Sequence, residues 1–422
     1  MRPGAPWLDR SGPHLALDGC RLDDLASEFG TPLYVYSRRA MLQALSGYQR
    51  ALAGRPHLVC YAMKANSTLA VLQTFAQAGC GFDIVSAGEL ERVIAAGGSP
   101  ARTVFSGVGK RRADMQRALQ AGVLCFNVES EGELEVLSEV AVAAGRTARV
   151  SLRVNPDVDA GTHPYISTGL KGNKFGIAHD RAVAAYRHAA SLPGLEVTGI
   201  DCHIGSQITQ LAPYLDALDR VLDLVEAVEA EGIALHHLDL GGGLGITYTD
   251  EAPPAAEELV ARLLERIDAR GHGHRTLMFE PGRSLVGNAG VLVTEVLYLK
   301  PGEVKNFCVV DAAMNDLMRP AMYEAWMAIK PCTQRSEAAV RWDVVGPVCE
   351  SGDWLGRDRE LAVRPGDRLA VLSAGAYGMS MASNYNSRPR AAEVMVDEGR
   401  ATLIREREDV RQLFAGERLL PG

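Results

Sequence analysis

The chain has 422 residues, enough for two or three domains with sizeable cores. It is 47% hydrophobic and 23% charged, an ordinary globular balance. With 44 Lys plus Arg against 52 Asp plus Glu, its formal charge of −8 excludes the basic footprint of a nucleic-acid binder. No run of like charges marks a membrane-surface patch or a solvated tail. The cysteines at 20, 60, 80, 125, 202, 308, 332 and 349 form no CxxC pair and no metal-ribbon spacing. Met1-Arg2-Pro3-Gly4-Ala5-Pro6-Trp7 lacks the apolar core of a secretory leader, and no window of about 18 apolar residues occurs. Together these predict a cytoplasmic protein with reduced thiols, no membrane segment and no nucleic-acid partner.

Residues 1–35 mix turns with short apolar pieces such as Leu33-Tyr34-Val35-Tyr36. A rhythm then begins. β-rich runs at 58–63, 82–85, 104–106, 124–128, 148–154, 197–203, 237–240 and 277–280 each end in Gly, Asn, His or a charged residue. Between them, stretches such as 86–97 and 214–232 carry Leu, Val and Ala at helical spacing. Strands alternating with helices argue for parallel βαβ units, and eight of them over roughly 250 residues match a (β/α)8 TIM-like barrel. A doubly wound open sheet is the rival, but its glycine fingerprint follows the first strand, whereas the glycine cluster here follows the seventh.

Past residue 284 the runs 291–299, 306–311, 340–345, 368–372 and 393–396 are β-rich, with Pro-Gly turns at 301–302 and 365–366. Only 314–329 and 409–413 look helical. The organisation predicted is an α/β chain. A barrel spans residues 36–283. A mostly antiparallel β-barrel or sandwich is built from 284–422, with an edge supplied by 1–35.

Chemistry in a barrel sits at the C-terminal ends of its strands. Lys64 follows the first run, in Cys60-Tyr61-Ala62-Met63-Lys64-Ala65-Asn66. Alone it reads as a surface lysine capping a strand. At the end of an apolar strand it also stands where desolvation frees an amine for Schiff-base chemistry. Asp83 lies in the second run, Asn155 follows the fifth, and His203-Ile204-Gly205-Ser206-Gln207 follows the sixth. Gly241-Gly242-Gly243-Leu244-Gly245 follows the seventh, where barrels commonly hold phosphate on bare backbone. Glu280-Pro281-Gly282-Arg283 follows the eighth, so Glu280 is either a loop acid or a partner for a ring nitrogen. A Schiff-base lysine, an acid for a pyridine nitrogen and a phosphate cradle are what pyridoxal phosphate requires of a protein. The β-rich part adds Arg319, Tyr323, Ala376-Tyr377-Gly378 and the loop Cys349-Glu350-Ser351-Gly352-Asp353.

With these stretches and Lys174-Phe175-Gly176, the chain resembles, nearly end to end, the diaminopimelate decarboxylases of the barrel-type (fold III) pyridoxal-phosphate family. The resemblance implies that Lys64 carries pyridoxal 5'-phosphate and that His203 stacks on its ring. Ser206, Gly241, Gly242, Gly243, Gly282 and Arg283 are implied around the phosphate, beside Pro281. Glu280 is implied at the pyridine nitrogen, and Tyr377 reaches cofactor and substrate. Arg283, Arg319, Tyr323 and Glu350 would bind the distal end of the substrate, and Cys349 would act in protonation. The resemblance also implies a homodimer with shared active sites, Cys349 coming from the partner subunit. The activity implied is decarboxylation of meso-2,6-diaminopimelate to L-lysine, with Cys349 or Lys64 returning the proton to Cα.

Related fold III enzymes act on ornithine, arginine or carboxynorspermidine, and a carrier-tethered amino acid is a further alternative. A distal cation alone asks for an acid. A second amino-acid end asks for a forked guanidinium such as Arg319 together with an acid such as Glu350. A non-catalytic pyridoxal-phosphate carrier is the reading from a different class, and it does not require Cys349, Arg319 and Tyr377, which are all present. The loop 156–172 is expected to act as a lid. Trp354 has no assigned role.

Overall fold

The computed structural model describes residues 6–161, 168–169 and 173–422. The chain divides into one unit of Leu42–Ile246 with Ala252–Ser284, and another of Met1–Met41, Thr247–Glu251 and Leu285–Gly422.

The first unit is a closed parallel barrel. Among the described residues its strands are β1 His57–Ala62, β2 Gly81–Ile84, β3 Thr103–Phe105, β4 Cys125–Val128, β5 Ala148–Asn155, β6 Leu195–Asp201, β7 His237–Asp239 and β8 Thr276–Phe279. Neighbours pair in sequence order, and Leu277 of β8 aligns with His57 of β1 to close the ring. Helices cover the outside, so the strands are buried on both faces and read as nearly continuous apolar runs. Two of the helices begin at serine caps. Ser86 accepts from the N–H of Glu89 ahead of Ala87–Ala95, and Ser130 accepts from that of Glu133 ahead of Glu131–Ala143. Leu58, Cys60, Val104, Cys125 and Met278 pack as one apolar cluster. Most of the loop expected as a lid, residues 162–167 and 170–172, lies outside the described residues.

The second unit carries a mixed sheet. Its main path runs 354–361, 340–345, 307–310, 290–300, 33–37, 392–397, 400–405. Most pairs are antiparallel, with parallel pairs where 307–310 meets 340–345 and where 33–37 meets 392–397. Leu33–Ser37 is not the edge expected of the N-terminal segment. It lies inside the sheet, with Tyr36 aligned on Gly290 and Leu33 on Ala392. Its five residues are all buried, which an edge strand does not require. The pieces Leu8–Ser11, His14–Leu17 and Cys20–Arg21 form a separate small antiparallel sheet.

The helix expected over 314–329 is cut to Arg319–Tyr323. Glu324 takes a left-handed conformation (φ 52°) that stops it, and Ile329–Pro331 leaves as a strand. The helix expected over 409–413 is a 3-10 turn, Val410–Phe414.

Candidate active site

The C-terminal ends of the barrel strands gather a dense set of charges. Lys64 sits in the 3-10 turn Met63–Ala65 that follows β1. The Tyr61 hydroxyl donates to the Asn66 carbonyl at 2.9 Å and ties that turn back onto its strand. The Lys64 ammonium donates to Asp83 Oδ2 at 2.6 Å, and the Asp83 side chain is fully buried. The β1–β2 register sets this meeting by aligning Ala62 with Asp83.

Glu280 follows β8 and is buried. Asn127 on β4 donates to its Oε1 at 3.2 Å and to Ser106 Oγ at 3.2 Å. Asp201 ends β6 and Asp239 ends β7, and each offers an oxygen within 4.8 Å of one on Glu280 and of the other. Burial, and then Asp239, Asp83 and Asp201 beside it, hold the Glu280 carboxyl well above the usual carboxylate range. Burial raises Asp239 to about 6, against the pull of the Gly241 N–H that it accepts at 3.0 Å. The counter-charge is Lys64 together with Arg153, which pairs with Glu129 at 3.1 Å.

His203 is held neutral by burial and by the nearby Arg153 and Lys64. Its Nδ1 accepts the Gly242 N–H at 3.2 Å, which puts the ring proton on Nε2.

The glycines after β7 are a packing requirement. A Cβ on Gly242 would lie 2.2 Å from the Glu280 carbonyl oxygen, and one on Gly243 would lie 2.4 Å from that of Gly205. Gly241 and Gly243 also have φ of 64° and 101°, in the range that favours glycine. Because Gly241 and Gly242 give their N–H groups to Asp239 and His203, their contribution is close approach of backbone more than donors. Charge comes from Arg283, whose guanidinium meets Ser206 Oγ at 3.1 Å. Pro281 and Gly282 fix that corner: the Pro281 carbonyl accepts the Ala62 N–H at 3.1 Å. A Cβ on Gly282 would meet the Ala62 oxygen at 3.0 Å.

The barrel therefore brings together Lys64, His203, Ser206, Gly241, Gly242, Gly243, Glu280, Pro281, Gly282 and Arg283. The other sequence candidates belong to the second unit. Arg319 opens the helix that also carries Tyr323, and Tyr377 stands at φ 53°. Cys349 is exposed, and its N–H donates to Asn386 Oδ1 at 3.2 Å. Glu350 accepts from the Tyr385 hydroxyl at 2.9 Å. Asp353 pins this loop by accepting the N–H groups of Met314 at 2.6 Å and Val348 at 2.8 Å. Trp354 lies under the Arg357 guanidinium, 4.1 Å from the ring centroid.

Sequence reasoning passed over Asn127, Glu129, Arg153, Asp201 and Asp239. A signal was present at one of them: Asn127 is the single polar residue of Cys125–Val128, where only an inward-facing partner network tolerates it.

The family model described as the pyridoxal binding domain of pyridoxal-dependent decarboxylases matches residues 38–287. The diaminopimelate decarboxylase of Pseudomonas aeruginosa is 60% identical over 407 residues, covering 96% of this chain and 97% of that protein. The chain belongs to the diaminopimelate decarboxylase family. Two solved members extend the likeness to structure. The M. jannaschii diaminopimelate decarboxylase in co-complex with L-lysine superposes with a TM-score of 0.94 at 38% identity, covering 100% of this chain and 99% of that one. The Helicobacter pylori enzyme complexed with L-lysine gives 0.89 at 42% identity, covering 93% and 98%.

The residues present fit the group that this family's description names. A bare-backbone cradle with an arginine–hydroxyl pair, a buried carboxyl among acidic neighbours and a lysine at the rim match phosphate, ring nitrogen and aldehyde respectively.

Proposed function

We propose that this chain is a pyridoxal-phosphate-dependent carboxy-lyase that converts meso-2,6-diaminopimelate to L-lysine and CO2, the last step of lysine biosynthesis. The observation that carries the reading is Lys64 on Asp83 beside the Glu280 cluster, in a chain 60% identical nearly end to end to a diaminopimelate decarboxylase. Pyridoxal phosphate, when bound, supplies an electron sink for the pair left behind by the departing α-carboxylate.

The chain's own residues do the rest. Lys64 holds the cofactor, with Asp83 orienting its amine. Glu280, whose hold on a proton is strengthened by burial and its acidic neighbours, would share a proton with the ring nitrogen. Neutral His203 offers a flat face to the ring, and Tyr377 contacts cofactor and substrate. Ser206 and Arg283 hold the phosphate, the bare backbone of Gly241, Gly242 and Gly243 lets it approach closely, and Pro281 and Gly282 shape the corner. Arg283, Arg319, Tyr323 and Glu350 bind the distal amino-acid end of the substrate, guanidinium to carboxylate and acid to ammonium. Cys349 or Lys64 returns the proton to Cα.

In the same reading residues 36–283 bind the cofactor, supported by the family match over 38–287. Residues 1–35 with 284–422 carry substrate and dimer contacts. The protein works as a homodimer in which Cys349 of the partner subunit completes each site. We place it in the cytoplasm, a location that its eight free thiols suit. Among the described residues no helix is long and apolar enough to cross a membrane.

The decisive experiment is a substrate panel. CO2 release and lysine formation from meso-diaminopimelate should far exceed turnover of ornithine or arginine; better turnover of ornithine overturns the substrate. Mixing inactive Lys64→Ala and Cys349→Ala subunits should restore part of the activity. Failure to recover under demonstrated subunit exchange counts against shared sites.

A further inference from the structure

Arg319 does not stand alone. Its Nη1 donates to the Tyr248 hydroxyl oxygen at 2.7 Å, and its Cζ lies 4.7 Å from the centroid of the same ring. Both residues are buried, at 7% and 5% exposure. A guanidinium is planar, so an in-plane hydrogen bond and a ring contact together fix both its tilt and its rotation.

Tyr248 is itself held. It lies on Thr247–Glu251, a segment that follows the glycine cluster after β7 but belongs to the second unit. The Glu251 carboxylate accepts the N–H groups of Tyr248 at 2.9 Å and Thr249 at 2.7 Å, and the Thr249 hydroxyl at 3.0 Å. The Thr247 hydroxyl closes the turn on the Glu251 carbonyl at 2.8 Å. Five residues are thus folded around one carboxylate and present one tyrosine to one arginine.

We propose that Tyr248 is a positioning residue that sets the Arg319 guanidinium for the carboxylate at the distal end of the substrate, with the Glu251-centred turn as its mount. The proposal rests on the reading of Arg319 as a substrate ligand. Binding the distal carboxylate equally in ground and transition states affects KM and leaves kcat nearly unchanged.

The test uses the holoenzyme. Tyr248→Phe keeps the ring and removes the acceptor. KM for meso-diaminopimelate and the inhibition constant of L-lysine, which retains the distal carboxylate, should rise together by about tenfold, or about 1.4 kcal/mol. The kcat should stay within about twofold, as an effect on uniform binding requires. Inhibition by 1,5-diaminopentane, which has no carboxylate, should not move. Added to Arg319→Ala, the tyrosine change should have no further effect. Glu251→Gln, which keeps the tyrosine but loosens its mount, should shift KM and the L-lysine constant in the same direction by a smaller factor.

Parental constants in both Tyr248→Phe and Glu251→Gln overturn the proposal. So does a full additional loss on top of Arg319→Ala, or loss of the cofactor's visible absorbance in Tyr248→Phe. If Arg319→Ala itself leaves KM unchanged, it is the substrate reading of Arg319 that has failed.

Discussion

Lys64 donates to Asp83 at 2.6 Å, and the other oxygen of that fully buried carboxylate meets no hydrogen-bond partner among the described residues. Asp83 therefore depends on Lys64 for its charge to be tolerated. Lys64→Ala should lose the cofactor's visible absorbance and all activity, and should also leave an unpaired buried charge. Because Lys64 is partly exposed, we expect a stability loss of about 1–2 kcal/mol, below that of a fully buried pair. Lys64→Ala with Asp83→Asn should recover it in urea unfolding. A double variant no more stable than the single one would show that the pair carries no such burden.

Glu280 is the acid around which the barrel's other carboxylates are grouped. Glu280→Gln preserves its shape and its bond from Asn127 but offers no acid to a ring nitrogen. Cofactor absorbance should persist while kcat falls by about 10²-fold, the scale of losing one group that stabilises developing charge. Glu280→Asp should fall between. Activity within a few-fold of the parent in Glu280→Gln would remove Glu280 from the mechanism.

The loop after β7 admits no side chain at Gly242. The Glu280 carbonyl in its way cannot retreat easily, because the Glu280 N–H is bonded to Gly241 at 2.7 Å. Gly242→Ala should cost about 1–3 kcal/mol in overpacking and weaken cofactor binding by at least about tenfold in titrations of the apoprotein. Gly132 is the control. It lies in Glu131–Ala143, and a Cβ there meets nothing within 4 Å. Gly132→Ala should be neutral or stabilising by up to about 1 kcal/mol. Equal effects at the two sites would refute the steric argument.

His237 starts β7 and is buried, and burial, helped by His236, pushes its imidazole down from 6.5 to about 4. Between those values the unfolded chain binds a proton that the folded chain refuses. Stability from this group is therefore complete above pH 6.5 and is lost as pH falls toward 4. At about 1.4 kcal/mol per pH unit the loss approaches about 3 kcal/mol. In His237→Gln the fall in unfolding free energy between pH 7 and pH 4.5 should be shallower than in the parent by that order. Parallel pH profiles would exclude the assignment.

The barrel was legible because a strand buried on both faces must be apolar along its length. Each of its eight runs lies within a residue or two of the observed strand. The strands that escaped notice in the second unit include both ends of its main sheet path, Trp354–Leu361 and Arg400–Arg405. Edge strands are charged and partly wet, so Trp-Leu-Gly-Arg-Asp-Arg-Glu-Leu shows no alternation to read. In the site, residues at strand ends announced themselves through position. Asp201 and Asp239 also end strands, but they, Asn127 and Arg153 belong to no glycine- or proline-marked motif, and their partners appear only when neighbouring strands bring them face to face. Tyr248 was hidden for a different reason: its segment follows a barrel strand in sequence but belongs to the other unit.

Leu33–Ser37 is hydrogen-bonded on both sides by segments made much later, Gly290–Lys300 and Ala392–Asp397. A ribosome adding about 5–20 residues per second needs on the order of ten seconds to a minute to reach the first of them. Throughout that interval Leu-Tyr-Val-Tyr, apolar and with both backbone edges open, waits without its sheet while the barrel is being synthesised. Nascent chains should therefore be most vulnerable to misassociation at this segment, and most dependent on chaperone cover, until the last hundred or so residues have emerged.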